Sequence, residues 1–350
     1  MERLVRVLLI AFIYIGTVVG AGFASGQEIW FFFSRFQERG AVGLLCSVIV
    51  FAWLGPKAME WARRLKAESY RDFFGALVGK GYGRFCDLVM TVFLFLLIGI
   101  MLAGSGAVTA AFGWGRSLGL WGAVFLTLLV LVQPLAGLKG VNSLVVPLLC
   151  LTGLLLNLWG QGITAPLDAA PSVSGGWFLA ALQYSAYNLM LALPVLVTLY
   201  RLEPDPVVLR WGGVVGGLTL GILAFLFHTV LKNYNFAAVD LPVLFLTKNW
   251  RWGWPVFYSF VLWGELFTSL VANAYGLSAR FNLEKDRLYL GKLLFILLMA
   301  ALVSQFGFAR LITKVYPLSG YFAFTLLLPL ALRPLPGEGR RGKSQKKQYF

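Results

Sequence analysis

The chain has 350 residues, of which 59% are aliphatic or aromatic and 13% charged, about half the charge of an ordinary globular protein. Its apolar runs repeatedly reach 20 residues or more, which excludes a soluble enzyme or a soluble nucleic-acid-binding domain of this size. The formal net charge of +15 does not argue for nucleic acid either, because Lys and Arg cluster in alternate loops, as in an all-α polytopic membrane protein.

Hydropathy places ten spans at residues 4–33, 41–61, 85–112, 118–132, 141–160, 177–200, 207–231, 254–277, 290–306 and 311–332. With the N-terminus inside, 22 of the 30 basic residues fall on the cytoplasmic side and 8 outside, so a multi-pass protein of the cell membrane with both termini cytoplasmic is expected. One transmembrane domain is predicted over 1–333, its halves about 4–160 and 177–332. A basic, disordered tail over 334–350 touches anionic lipid. Cys46, Cys86 and Cys150 lie in or beside apolar runs without CxxC spacing, and read as small hydrophobes with no disulfide framework or metal site.

The first span carries Gly16, Gly20, Gly22 and Gly26 within eleven residues, each costing about 1 kcal/mol of helix propensity. It is also longer than a straight crossing needs. Two half-helices with an unwound middle explain both, and such a break exposes carbonyls for a cation and amides for an anionic group. Close helix packing through Gly16 and Gly20 is the simpler alternative, and a cleaved signal peptide a further one. Glu28, beside Gln27 at the start of the second half-helix, suits a positive helix end or a gating or proton-carrying role.

The basic loop 57–84 contains G-A-L-V-G-K-G, but the glycine spacing is too short for a phosphate loop, and Gly81 stands where Ser or Thr should be. Asp87 is expected to pair with Arg84 and Lys80, and Ser105, between two glycines, marks a close helix approach. In the sixth span Gln183, Tyr184, Tyr187 and Asn188 share an arc of about 140°. Pro194 should open that helix between Tyr187 and Leu193. A break five spans after the first is what an inverted five-plus-five repeat predicts, whereas a plain proline kink needs no repeat.

His228 ends the seventh span as an interfacial or hydrogen-bonded residue. Asp240, Leu241 and Pro242 read as the N-cap and first turn of a short extracellular helix. In the eighth span Glu265, Thr268, Ser269 and Asn273 line one helix face, and a carboxylate at membrane depth is a functional candidate. The spans lack HExxH, GxSxG and paired aspartates, so no enzyme is expected.

With these residues in place, G-T-V-V-G-A-G-F-A-S-G-Q-E over 16–28 resembles the start of YkvI-type membrane proteins. Its G-x-x-x-G-x-G core is similar to the broken first helix of the LeuT-like amino acid-polyamine-organocation superfamily. That resemblance implies ten helices in a LeuT-like inverted repeat with helices 1 and 6 broken, and a sodium-coupled symporter of a small amino-acid-like solute. It implies sodium at the carbonyls of Gly16, Val19 and Glu265 and the hydroxyls of Thr268 and Ser269. Solute would lie against Gly20, Ala21 and Gly22, facing Tyr184, Ser185 and Asn188. Glu28 and Glu265 are the candidate coupling or gating residues. A fifth span without lysine favours sodium, while Glu265 departs from the sodium pattern and leaves proton coupling open. A non-transporting receptor on the same fold is the alternative.

Overall fold

Where no water can satisfy a free backbone group, a spanning segment must bond its peptides internally, and every regular element among the described residues is helical. The computed structural model describes residues 2–67, 69–132, 142–159, 173, 175–248, 253–281 and 288–336. The first span is built of three pieces, α1 (Glu2–Val18), α2 (Ala21–Ser25) and α3 (Gln27–Phe32). Next come α4 (Glu38–Leu65), α5 (Tyr70–Val78), α6 (Lys80–Ala111), α7 (Arg116–Leu131) and α8 (Asn142–Trp159). The second half holds α9 (Trp177–Leu196), α10 (Pro206–Leu231), α11 (Pro242–Thr247), α12 (Trp254–Arg280), α13 (Tyr289–Ser304) and α14 (Phe308–Leu332). Helix stands at each of the ten predicted positions, and six helices are long and apolar enough to cross a membrane alone. Side chains such as Leu45, Ile49 and Phe260 point outward and exposed, an apolar exterior suited to lipid rather than water.

Two packed groups make up the body. In the first, α10 lies against both α4 and α1, through two glycine rows on its surface. Gly213 faces Pro56, Gly217 faces the backbone of Ala52 and Gly221 faces Val48, while Gly212 and Gly216 receive Ile10 and Tyr14 of α1. Each row repeats every fourth residue, so one helix face takes each neighbour. In the second group α6 carries α7, α12 and α13. Gly104 of α6 admits Leu266 and Phe308, and Gly119 of α7 lies on the Ser105 carbonyl, which is the close approach expected around Ser105. Helix α14 contacts α9 of the first group and α6 of the second.

Several local expectations need correction. Helix α9 is not broken between Tyr187 and Leu193: it runs on past Pro194 to Leu196, and Val197 N–H still closes on Leu193 O at 3.0 Å. The chain loosens only afterwards, in the 3-10 turn Leu199–Arg201. Proline removes the one bond to Met190 O, and the helix continues across that loss. Ser47 of α4 donates to Ala181 O at 3.1 Å, and bare Gly320 of α14 sits against Gln183. Asp240 does not cap α11, whose N-cap is Leu241. Its carboxylate instead accepts from Arg116 at 2.9 Å and from Ala309 N–H at 3.1 Å, tying the start of α7 to that of α14. His228, in the last turn of α10, is hydrogen-bonded rather than snorkelling: it is 1% exposed, with Nδ1 3.2 Å from Ser34 Oγ.

The stretch predicted as a basic loop after the second span is mostly helix. Lys66 ends α4 in the left-handed region, and Ser69 with Asp72 forms a capping box that starts α5. Asp87 pairs with neither Arg84 nor Lys80. It is bonded by Arg71 at 3.1 Å, by Arg280 at the end of α12, and by Tyr70 at 3.3 Å. One carboxylate therefore joins α5, α6 and α12, because α5 folds back over α6 and carries Arg71 to it. Asp87→Ala leaves the half-buried Arg280 without its anion, and is expected to destabilise by about 3 kcal/mol, read as a fall in the thermal midpoint in detergent. Cys150 and most of the tail, including 337–350, lie outside the residues whose side chains are described.

Candidate solute-binding site

Helix α1 closes with Val19 N–H on Ile15 O at 2.8 Å. Gly20 is then extended, at φ −117° and ψ −174°, and the next turn closes with Ala24 N–H on Gly20 O at 2.9 Å. The first span is therefore interrupted at Val19 and Gly20, as its glycines predicted. A second interruption follows at Gly26, whose φ of 82° ends α2 and starts α3 in a conformation few other residues tolerate. The amides opening α2 have no helical acceptor behind them. All of 21–30 is buried, yet a Cβ on Gly20 would meet no atom within 4 Å. There is open space beside the break.

The expected partners from α9 are present and buried. Tyr184 packs on Phe33 at 4.8 Å and Phe32 at 5.6 Å between ring centres. Ser185 donates to Ala181 O at 2.9 Å and Asn188 to Tyr184 O at 3.1 Å, both within their own helix. The unforeseen occupant is Glu28. The chain turns at Gly26, and α3 sends this side chain back over Gly22, where a Cβ would overlap the carboxylate. Tyr187 Oη donates to Glu28 Oε2 at 2.5 Å, and the Phe23 amide and the Asn188 side chain lie beside the carboxylate. Glu28 thus lies where the resemblance would put the solute's own carboxylate.

Two tyrosines were missed as site residues. Tyr187 was visible in the polar arc of the sixth span, but its partner on α3 was not. Tyr316 of α14 stacks on Tyr187 at 4.8 Å, and a lone Tyr in an apolar span gives no local signal of that. Tyr258 of α12 donates to the Ala24 carbonyl, joining the second packed group to α2.

Of the expected sodium ligands, the Thr268 hydroxyl and the Glu265 carbonyl lie 3.2 Å apart, the hydroxyl donating to the carbonyl. Glu265 is buried, and Thr268 and Ser269 are half-buried. Among the described contacts none joins these α12 oxygens to the carbonyls of Gly16 and Val19. Among the described residues no three His, Cys, Asp or Glu side chains converge as a metal site.

No family model matches the chain. It is 33% identical over 334 residues to the uncharacterized membrane protein YkvI of Bacillus subtilis, covering 93% of this chain and 96% of that protein. It is 23% identical over 331 residues to YyaD of the same organism, covering 92% and 95%. Among solved structures, the manganese transporter of Eremococcus coleocola superposes with a TM-score of 0.61 over 94% of this chain and 78% of that one, at 13% identity. A mutant form of that transporter gives 0.59 over 92% and 78%, at 14% identity. At such identities the likeness shows the fold alone: an all-α, multi-span, transporter-like membrane protein.

Proposed function

Because the chain belongs to the YkvI family of membrane proteins, we propose that this family's fold serves here as a secondary transporter of a small amino-acid-like solute. The observation that carries the reading is the interruption at buried Val19 and half-buried Gly20, with open space beside Gly20 and the buried polar side chains of α9 meeting the residues that follow it. Amides without a helical acceptor, beside open space in an apolar protein, serve a ligand better than they serve stability. The proposed topology is ten crossings in one domain over 1–333, with both termini cytoplasmic, as the 22 to 8 split of basic residues supports. The two packed groups, which meet through α14 and where α12 touches α2 and α8, are the bodies that rock about the break in alternating access.

Sodium is the proposed coupling ion, at the carbonyls of Gly16, Val19 and Glu265 and the hydroxyls of Thr268 and Ser269. The Thr268 hydroxyl and the Glu265 carbonyl are hard oxygen ligands brought to 3.2 Å by the hydrogen bond between them, a bond that a bound cation would replace. Proton coupling is the second reading, and the observation that favours it is the Glu28 carboxylate inside the break.

Uptake of labelled L-amino acids into proteoliposomes, with a sodium gradient, a proton gradient or neither, tests transport and separates the two ions. Flat uptake across the panel under all three conditions rejects the transporter. If sodium couples, Thr268→Ala is expected to raise the sodium concentration for half-maximal uptake about tenfold, the loss of roughly 1.4 kcal/mol of ion binding. Unchanged sodium dependence removes that site.

A further inference from the structure

Glu28 is only 3% exposed, and every partner that holds it is neutral. Tyr187 Oη–H donates at 2.5 Å, and the Asn188 side chain and the Phe23 amide complete the set. The titratable groups that face it are tyrosines, Tyr184 and Tyr187 from α9 and Tyr316 from α14. The nearest titratable groups of the other neighbours turn elsewhere: His228 of α10 meets Ser34, and Tyr258 of α12 meets the Ala24 carbonyl. Among the described residues no Lys or Arg forms an ion pair with Glu28. A buried anion balanced only by dipoles is costly, and the bare Cα of Gly22 is what allows the carboxylate to lie there at all.

The Tyr187 hydroxyl, with the Asn188 side chain and the Phe23 amide beside it, is a recognition set for a carboxylate, and it already holds one. The open space at Gly20, two residues from Gly22, is room for a solute beside it. We propose that Glu28 and the carboxylate of the incoming solute compete for this one donor set, and that a proton makes the exchange. A proton from the compartment facing the site adds to a Glu28 oxygen and gives the neutral acid, which gives up acceptor capacity. The solute's carboxylate then accepts from Tyr187 Oη–H and the Asn188 amide. When the site faces the other side and the solute leaves, Glu28 releases its proton there and takes the donors back. One proton crosses with each solute. This rests on the transporter reading above in its second, proton-coupled form, and assigns that coupling to Glu28.

The test uses the purified full-length chain and thermal stabilisation by individual proteinogenic L-amino acids between about pH 5 and about pH 9. Expected for the wild type is an apparent affinity that falls about tenfold per pH unit toward the alkaline end. Glu28→Gln, uncharged throughout, is expected to bind the same amino acid independently of pH, and its proteoliposomes no longer accumulate that amino acid on a proton gradient. Binding by the wild type that ignores pH, or a pH dependence that survives in Glu28→Gln, overturns this proposal while the transporter stands. No stabilisation and no uptake with either protein removes both. If Glu28→Gln does not fold, Tyr187→Phe carries the test: the solute loses a donor, so binding is weaker at every pH, but Glu28 loses the same donor in its ionised form, so the pH midpoint of binding moves up by about one unit. An unmoved midpoint overturns the exchange.

Discussion

Gly217→Val is expected to prevent assembly of the first packed group, and to give protein that elutes as aggregate from size exclusion in detergent. A Cβ at Gly217 would stand 2.6 Å from the backbone N of Ala52 and 2.8 Å from its Cα. The obstacle is the main chain of α4, which has no rotamer to change, so α10 and α4 must separate along their contact. Even alanine forces that separation. Overpacking of a well-packed site costs about 1–3 kcal/mol where side chains can adjust, and here the cost exceeds that range. Gly122 of α7 is the control. A Cβ there meets nothing within 4 Å, so Gly122→Ala is expected to raise stability slightly, by about 0.5–1 kcal/mol of helix propensity. Equal tolerance at the two positions rejects the packing account.

Gly22→Ala is expected to destabilise by about 3 kcal/mol for a different reason. The added methyl falls on the end of a flexible side chain, the Glu28 carboxylate, which can swing away without moving any helix. Steric cost alone is therefore small. The large term is electrostatic: the displaced carboxylate leaves Tyr187, Asn188 and the Phe23 amide while still inside the protein. A double-mutant cycle isolates that term. In a Glu28→Ala background the Gly22 methyl meets no carboxylate, so the thermal loss caused by Gly22→Ala is expected to shrink by more than half. An equal loss in both backgrounds means that Gly22 is needed for backbone packing and not for the seat of Glu28.

The sequence by itself determined the helical class, the ten helix positions and the break in the first span. All three are properties of one segment at a time. Apolar length fixes a helix because lipid leaves the backbone no other partner, and four glycines in eleven residues weaken one stretch wherever it is placed. The short helix α11 was legible for the same reason, with Pro242 at its first turn. Tertiary structure decided what segments do to one another. Pro194 does not open α9, which runs on to Leu196 inside a packed body, where it lies against α4 and α14. Asp240 looked like a cap in its own neighbourhood and was taken by Arg116 and Ala309, far away in the chain. Asp87 likewise found Arg280 across 193 residues rather than Arg84 beside it. The site shows the same division. Spacing picked out the glycines and the polar face of the sixth span, and the family resemblance made Gly20, Tyr184 and Asn188 candidates for the solute, but the seat of Glu28 requires the reversal at Gly26 and the arrival of Tyr187 from 159 residues away. Only packing brings those groups within bonding distance, since a hydrogen bond depends on the last ångström of position and local sequence sets no distance between segments.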